Sequence, residues 1–291
     1  MPELPEVEIT RRQISAKMVG RTIRSVRTTK PSYFFLTPPK ELERRLTGRR
    51  VDSLSRHGKY LIAVLDDTSR LFLHLGMTGQ LFTASARSVR LLSTTRGGAL
   101  TPEKQDAFAP DLHTHLSLGF EDASEDVLFR DVRKFGKVRW LPGGASDPRL
   151  DKLGPDALTV TGPMLFSATR TRKTALKTVL LDQEVIAGVG NIYADEALFR
   201  AKLRPSRIAR TLTRKESSVL ADEIRAVLLR SIETGGSSIS DYVQPDGSDG
   251  AYQNERRVYA RKGEPCYVCG TPIKRVVLAA RSTHYCTRCQ K

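Results

Sequence analysis

The sequence predicts an α+β protein of two domains: a helix with a β-sandwich or barrel first, then a helical region closed by a zinc-binding hairpin. Three observations carry this. Short alternating runs fill residues 21–140, apolar residues at three-to-four spacing take over from about residue 171, and all four cysteines fall within the last 26 residues. A chain of 291 residues outgrows one ordinary core and suits two.

Residues 5–19 read as the opening helix. Pro5 suits the first turn, where a missing N–H costs nothing. Leu4, Val7, Ile14 and Met18 share one side, and Gly20 is a stop. The runs TIRSVRT, YLIAVL, RLFLHL, HLSLGF, VLFRDV and KVRWL read as strands. Their number and short connections suggest the sandwich or barrel. A polar stretch at 84–110 interrupts them as a basic loop, and PGGASDPRL at 142–150 reads as a linker. TRKTALKTVLLD, NIYADEALFRAK and TRKESSVLADEIRAVLLRSIETG then read as helices. Residues 237–255, polar and broken by Pro245, form a long loop of the kind that is often functional. The expected organisation is a domain at 1–141, a linker at 142–156, a helical domain at 157–254 that includes this loop, and a cysteine module at 255–291.

Lys and Arg number 48 against 32 Asp and Glu, a net charge of +16. Such a charge concentrates polyanions at the surface, with nucleic acid the first candidate and an anionic membrane the second. No apolar run is long enough to span a bilayer, and the acidic opening MPELPEVEIT is no signal peptide. A cytoplasmic protein of bacterial type is expected. In such a reducing compartment clustered cysteines argue for metal over disulfides. Cys266-x2-Cys269, sixteen residues, then Cys286-x2-Cys289 is zinc-ribbon spacing. Four thiolates leave no open position, so one structural Zn2+ is expected.

Gly188 and Gly190 in AGVGN permit close backbone approach to a ligand, with Asn191 as N-cap of the next helix. Helix starts of this kind bind phosphate, although an ordinary helix corner reads the same way. Met1 precedes a small residue, so its removal would leave Pro2 as a secondary amine with a pKa of about 8. Such an amine can attack carbon and give an iminium, a cationic electron sink. Glu3 and Glu6 beside it can move protons or simply complement the helix dipole.

MPELPEVE, HGKYL (57–61), HLGMTG (74–79), DVRKFG (131–136), AGVGNIYADEALF (187–199) and YARKGEPC (259–266), with the tail RSTHYCTRCQK, occur in this order along the whole chain. Together they resemble the formamidopyrimidine-DNA glycosylase family, the MutM-type bacterial repair enzymes. The resemblance implies a β-sandwich lobe, a helix-two-turn-helix and zinc-ribbon lobe, and damaged double-stranded DNA between them. It implies a monomeric bifunctional glycosylase and AP lyase that acts on 8-oxoguanine and formamidopyrimidines through a Schiff base, followed by β/δ-elimination. By motif, Pro2 attacks C1′, Glu3 acts as acid and base on the sugar, Glu6 supports the site, and Lys59 contacts DNA near the lesion. Asn191 and Arg281 grip phosphates around the flipped nucleotide, and Arg281 joins the catalytic set. Met77, Arg133 and Phe135 fill the gap left by the base, while His74, Gly188, Gly190 and Tyr259 complete the DNA contacts. The 237–255 loop caps the flipped base. Two alternatives stand beside this reading: the sister endonuclease VIII type, specific for oxidised pyrimidines, and a non-catalytic zinc-ribbon DNA binder. ELPEVE favours the purine branch, since the sister type more often reads EGPE there. Val132 stands where the family usually has proline.

Overall fold

The computed structural model describes residues 2–88, 110–122, 124–239 and 242–291. Met1 and most of the expected basic loop at 84–110 lie outside them. The chain divides into two compact units, residues 1–146 with 235–251 and residues 147–234 with 252–291.

The first unit opens with α1 (Leu4–Met18), then β1 (Ile23–Thr28) and α2 (Pro39–Leu46). Seven strands follow: β2 (Val51–His57), β3 (Tyr60–Leu65), β4 (Arg70–His74), β5 (Gly79–Thr83), β6 (Thr114–Phe120), β7 (Val127–Asp131) and β8 (Lys137–Leu141). They form two four-stranded antiparallel sheets, β1-β6-β7-β5 and β2-β3-β4-β8. Val26, Leu118 and Phe129 from one sheet and Leu54, Leu61, Leu73 and Val138 from the other share one core, which settles the sandwich. Leu4, Val7, Ile14 and Met18 are wholly buried, as their spacing predicts. The first two turns of α1 are buried all round, Glu6, Glu8 and Thr10 included. The sequence reading missed α2, β2 and β5. In β2 the buried positions fall three apart, and β5 is short and buried on both faces, so neither alternates.

The second unit holds α3 (Pro148–Asp151), α4 (Gly162–Thr169), α5 (Leu176–Leu180), α6 (Asn191–Arg200) and α7 (Arg214–Glu233), then the hairpin β9 (Lys274–Leu278) with β10 (Arg281–Tyr285). Asp147 caps α3, accepting from Arg149 N at 2.8 Å, so the expected linker at 142–156 contains a helix. The helix read from TRKTALKTVLLD shrinks to five residues. Leu176 N–H donates to Arg207 O at 2.7 Å and Lys177 N–H to Pro205 O at 3.1 Å, so distant chain takes the bonds that an earlier helix start would have used. Thr213 and Glu216 cap α7 reciprocally.

The partition differs from the expected one at residues 235–251, which group with the first unit. Ser237 N–H donates to Glu6 Oε1 at 2.9 Å, Gln13 Nε2 to Gln244 Oε1 at 2.8 Å, and Tyr242 OH to Glu6 O at 3.3 Å. Among the described residues no helix is long and apolar enough to cross a membrane.

Candidate functional site

In the first unit the start of α1 is a buried polar cluster. Pro2 is buried, and Glu3 and Glu6 are each 2% exposed. Glu6 Oε2 accepts from Glu3 N at 2.8 Å while Oε1 takes the Ser237 amide, so one carboxylate fixes both Glu3 and the start of the 237–255 loop. Gly236 allows this approach: at φ +81° a Cβ there would stand 3.2 Å from Glu6 Oε1. Burial, with the negative Glu6 nearby, pushes the Tyr242 phenol well above its usual range.

Lys59 is 9% exposed in the two-residue turn joining β2 to β3, with Gly58 at φ +55°. The turn is tied to α1. Arg56 donates from Nη1 to Gly58 O at 2.9 Å and from Nε to Glu8 Oε2 at 3.2 Å. Arg11 and Arg12 also bond Glu8, at 2.9 and 2.8 Å. Burial opposes the charge on Glu8, but the three guanidiniums outweigh it and hold the carboxyl down at about 2. Helix and lysine turn are thus held by one ion cluster.

The β3–β4 pairing sets Tyr60 opposite His74, with their rings 4.7 Å apart, so the Lys59 turn and the HLGMTG segment are sheet neighbours. His74 Nδ1 accepts from Gly76 N at 3.1 Å. Met77 is half-buried in the following turn. The other expected gap-fillers stand on the loop after β7. Arg133 and Phe135 are exposed, with the guanidinium 4.6 Å from the ring centroid. The structure brings these two segments together: a Cβ on Gly76 would lie 2.5 Å from Gly136 N and from the Phe135 carbonyl carbon.

In the second unit Asn191 is the first residue of α6, and Gly190, not Asn191, occupies the N-cap. The Asn191 side chain is therefore free of capping geometry and donates from Nδ2 to Ser282 Oγ at 3.3 Å. Gly188, at φ +115°, gives its N–H to Gln183 Oε1 at 3.0 Å, so the glycine loop is braced from within. Arg281 is exposed at the start of β10, directly after a turn that holds Ala279 and Ala280 at φ +46° and +59°. Tyr259 packs against His284 at 5.2 Å.

Two adjacent buried acids on α6 hold this face, and sequence reasoning missed both. Glu196 Oε1 accepts from Val258 N and Tyr259 N at 3.0 and 2.8 Å, and Oε2 from Arg257 N at 2.8 Å. Burial pushes its carboxyl above the usual range, against the pull of these amides. Asp195 Oδ2 accepts from His284 N at 2.8 Å, and Asp195 Oδ1 lies 2.7 Å from Lys177 Nζ, an ion pair outside hydrogen-bond alignment. The visible signal is an Asp-Glu pair inside the apolar run YADEALF.

The cysteine thiols converge as their spacing predicts. All four Sγ atoms lie within 4.8 Å of one another, with Cys269 to Cys286 at 3.4 Å and Cys266 to Cys289 at 3.9 Å. A tetrahedron with Zn–S bonds of about 2.3 Å requires S···S of about 3.8 Å, so the four fit one zinc. Cys289 N–H points to Cys286 Sγ at 3.4 Å, which would help balance thiolate charge. Gln290, wholly buried, bonds Cys286 N and Leu203 O at 2.8 Å each and docks the ribbon on the segment after α6.

The profile of the formamidopyrimidine-DNA glycosylase N-terminal domain matches residues 1–138, that of the family's H2TH domain residues 153–243, and that of the zinc finger found in FPG and IleRS residues 263–291. The formamidopyrimidine-DNA glycosylase of Cupriavidus pinatubonensis is 43% identical over 100% of both chains. The crystal structure of the MutM (FPG) protein of Thermus thermophilus matches with a TM-score of 0.82 at 38% identity, covering 99% of this chain and 98% of that one. A complex of wild-type Lactococcus lactis Fpg with N7-benzyl-Fapy-dG containing DNA matches with a TM-score of 0.84 at 34% identity over 100% of both. These matches run the length of the chain, through sandwich, helices and cysteine ribbon alike: it belongs to the formamidopyrimidine-DNA glycosylase family.

Proposed function

We propose that this protein is a base-excision-repair glycosylase that removes oxidised purines, 8-oxoguanine and formamidopyrimidines, from double-stranded DNA, and then cleaves the strand as an AP lyase. The observation that carries the mechanism is the buried cluster at the start of α1, where Glu6 holds Glu3 beside Pro2 and Glu8 with Arg56 braces the Lys59 turn.

With Met1 removed, the Pro2 nitrogen attacks C1′ of the flipped nucleotide. The C1′–base bond breaks, and the proton that the Pro2 nitrogen sheds goes to the departing base. Glu3 delivers a proton to the sugar ring oxygen, the ring opens, and an iminium joins Pro2 to C1′. That cation accepts the electrons released when a base takes a proton from C2′, and the 3′ phosphate leaves. A second elimination expels the 5′ phosphate. Lys59 supplies positive charge near the reacting sugar. Asn191 and Arg281 hold the flanking phosphates, while Gly188, Gly190, His74 and Tyr259 shape the surfaces beside them. Met77, Arg133 and Phe135 occupy the space that the flipped base leaves, which offsets part of the cost of unstacking. Zinc, bound by Cys266, Cys269, Cys286 and Cys289, fixes the hairpin that presents Arg281 and takes no part in the chemistry. The working form is a monomer, cytoplasmic and nucleoid-associated through DNA.

Borohydride trapping on two duplexes tests this, one with 8-oxoguanine opposite cytosine and one with an oxidised pyrimidine. An adduct mapped to Pro2 and stronger on 8-oxoguanine is expected, and Pro2→Gly should cripple strand cleavage while the fold survives. Stronger trapping on the pyrimidine duplex would move the specificity to the endonuclease VIII type. Tight binding with no adduct on either would leave a non-catalytic DNA binder.

A further inference from the structure

Phe135 and Val132 are each 42% exposed, so the loop between β7 and β8 is not anchored by its apolar side chains. It contains no proline, and Lys134 sits at φ +58° without being glycine. A loop of this kind would ordinarily sample many conformations. Its anchor is Asp131, the last residue of β7 and wholly buried. Oδ2 accepts from Gly136 N at 2.6 Å. Oδ1 accepts from Arg133 N at 3.2 Å and from Thr78 Oγ1 at 2.5 Å. The Thr78 hydroxyl in turn accepts from Arg133 N at 3.2 Å. The Asp131 carbonyl takes Lys134 N at 3.3 Å and lies 2.9 Å from His115 Nε2. One carboxylate therefore closes the loop on itself and joins it to Thr78, next to Met77 in the turn after β4. Gly76 allows the two segments to meet backbone to backbone.

We propose that Asp131 is a positioning residue for nucleotide extrusion: its buried carboxylate fixes Met77 on one turn against Arg133 and Phe135 on the other, so that the three enter the duplex as one rigid wedge. The inference rests on the gap-filling role given to those three residues. A wedge that is ordered before it meets DNA does not lose conformational entropy at insertion, and a carboxylate suits the task because it accepts several N–H and O–H bonds at once. Thr78 is the second member of the device.

Asp131→Asn tests this with little change in volume. The amide keeps one acceptor oxygen and turns an NH2 donor toward an N–H or O–H that also donates. The readouts are 8-oxoguanine excision from duplex, strand cleavage at an abasic site in single-stranded DNA, and the fluorescence of 2-aminopurine beside the orphaned base. Single-stranded DNA has no paired duplex to open, and an abasic site has no base to extrude. The ratio of duplex excision to single-strand cleavage should fall about tenfold or more, the size of a lost charge-assisted hydrogen bond, with the fluorescence phase slowed in step. Thr78→Val should shift the ratio in the same direction by less, and Thr78→Ser should restore it. Equal loss on both substrates would make Asp131 merely structural and overturn the inference. If Arg133→Ala and Phe135→Ala slow the fluorescence phase and neither Asp131→Asn nor Thr78→Val does, the inference also fails while the wedge reading stands. If Arg133→Ala and Phe135→Ala leave the phase unchanged, the wedge reading itself is wrong.

Discussion

Replacement of Lys177 by methionine should loosen the face that carries Asn191 and Arg281, proposed above to grip phosphates, without touching the chemistry. Lys177 is 1% exposed and Asp195 is fully buried. The ammonium lies 2.7 Å from Asp195 Oδ1 and donates to Ser282 O at 2.7 Å, and Ser282 Oγ accepts from Asn191. The pair therefore pins β10, which begins with Arg281, to the helix that begins with Asn191. Methionine keeps the apolar stem and removes the charge, which leaves the Asp195 carboxylate buried with only its His284 contacts. Loss of one partner of a buried pair costs about 3–5 kcal/mol. That is a large part of the roughly 5–15 kcal/mol that holds a domain together. Replacement of both partners, Lys177→Met with Asp195→Leu, removes the stranded charge and should recover most of the loss. About 1–3 kcal/mol should remain, because His284 N then loses its acceptor. The single tryptophan, Trp140, lies in the first unit, so its fluorescence does not follow the second. Urea unfolding should instead be followed by zinc release to a chromophoric chelator. The zinc-release midpoint should drop in Lys177→Met while the Trp140 midpoint moves little. A loss under about 1 kcal/mol, or a double variant as weak as the sum of the singles, would refute the account.

Two further outcomes follow from the same geometry. Cys286→Ser should lose zinc and weaken DNA binding, as measured by metal analysis and by fluorescence anisotropy of a labelled duplex; unchanged affinity without zinc would remove the ribbon from the DNA interface. Glu8→Gln should flatten the acid limb of stability. A carboxyl held at about 2 instead of 4.5 contributes stability that is present above pH 4.5 and lost as pH falls toward 2. Urea midpoints at pH 5 and pH 3 should thus converge in the variant relative to the parent, and identical slopes would contradict the ion cluster.

What was legible in the sequence was what is local. The opening helix, the two Cys-x2-Cys turns and six of the eight sandwich strands each declare themselves within a single short segment. The strand β2 did not, because VDSLSRH buries Val51 and Leu54 at a spacing that fits no strand alternation. The motif residues Lys59, Arg133 and Phe135 were singled out through resemblance, since no periodicity separates a candidate site lysine from a surface one. The residues that hold them were not found. Asp131 reaches Thr78 across 53 positions, Asp195 reaches His284 across 89, and Glu196 reaches Tyr259 across 63. A long-range acceptor of this kind leaves no mark in local composition.

The buried acids share a chemistry that follows from the charge of the molecule. Loops proposed to face a polyanion cannot be anchored by apolar side chains without losing those contacts, and their cations repel one another. Their backbone N–H groups are still available. In each case a buried acid accepts those donors: Glu6 at Ser237, Asp131 at Arg133 and Gly136, Asp195 at His284, Glu196 at Arg257, Val258 and Tyr259. Glu8 does the same for the lysine turn through the Arg56 guanidinium. An exposed acid at these places would repel phosphate, whereas a buried one directs its charge into the protein and leaves the surface to the cations. Among the described residues seven acids are buried, Glu3, Glu6, Glu8, Asp131, Asp147, Asp195 and Glu196, against four bases, Lys59, Arg130, Lys177 and Arg261, so the surface carries a larger excess of cations than the net charge of +16 states.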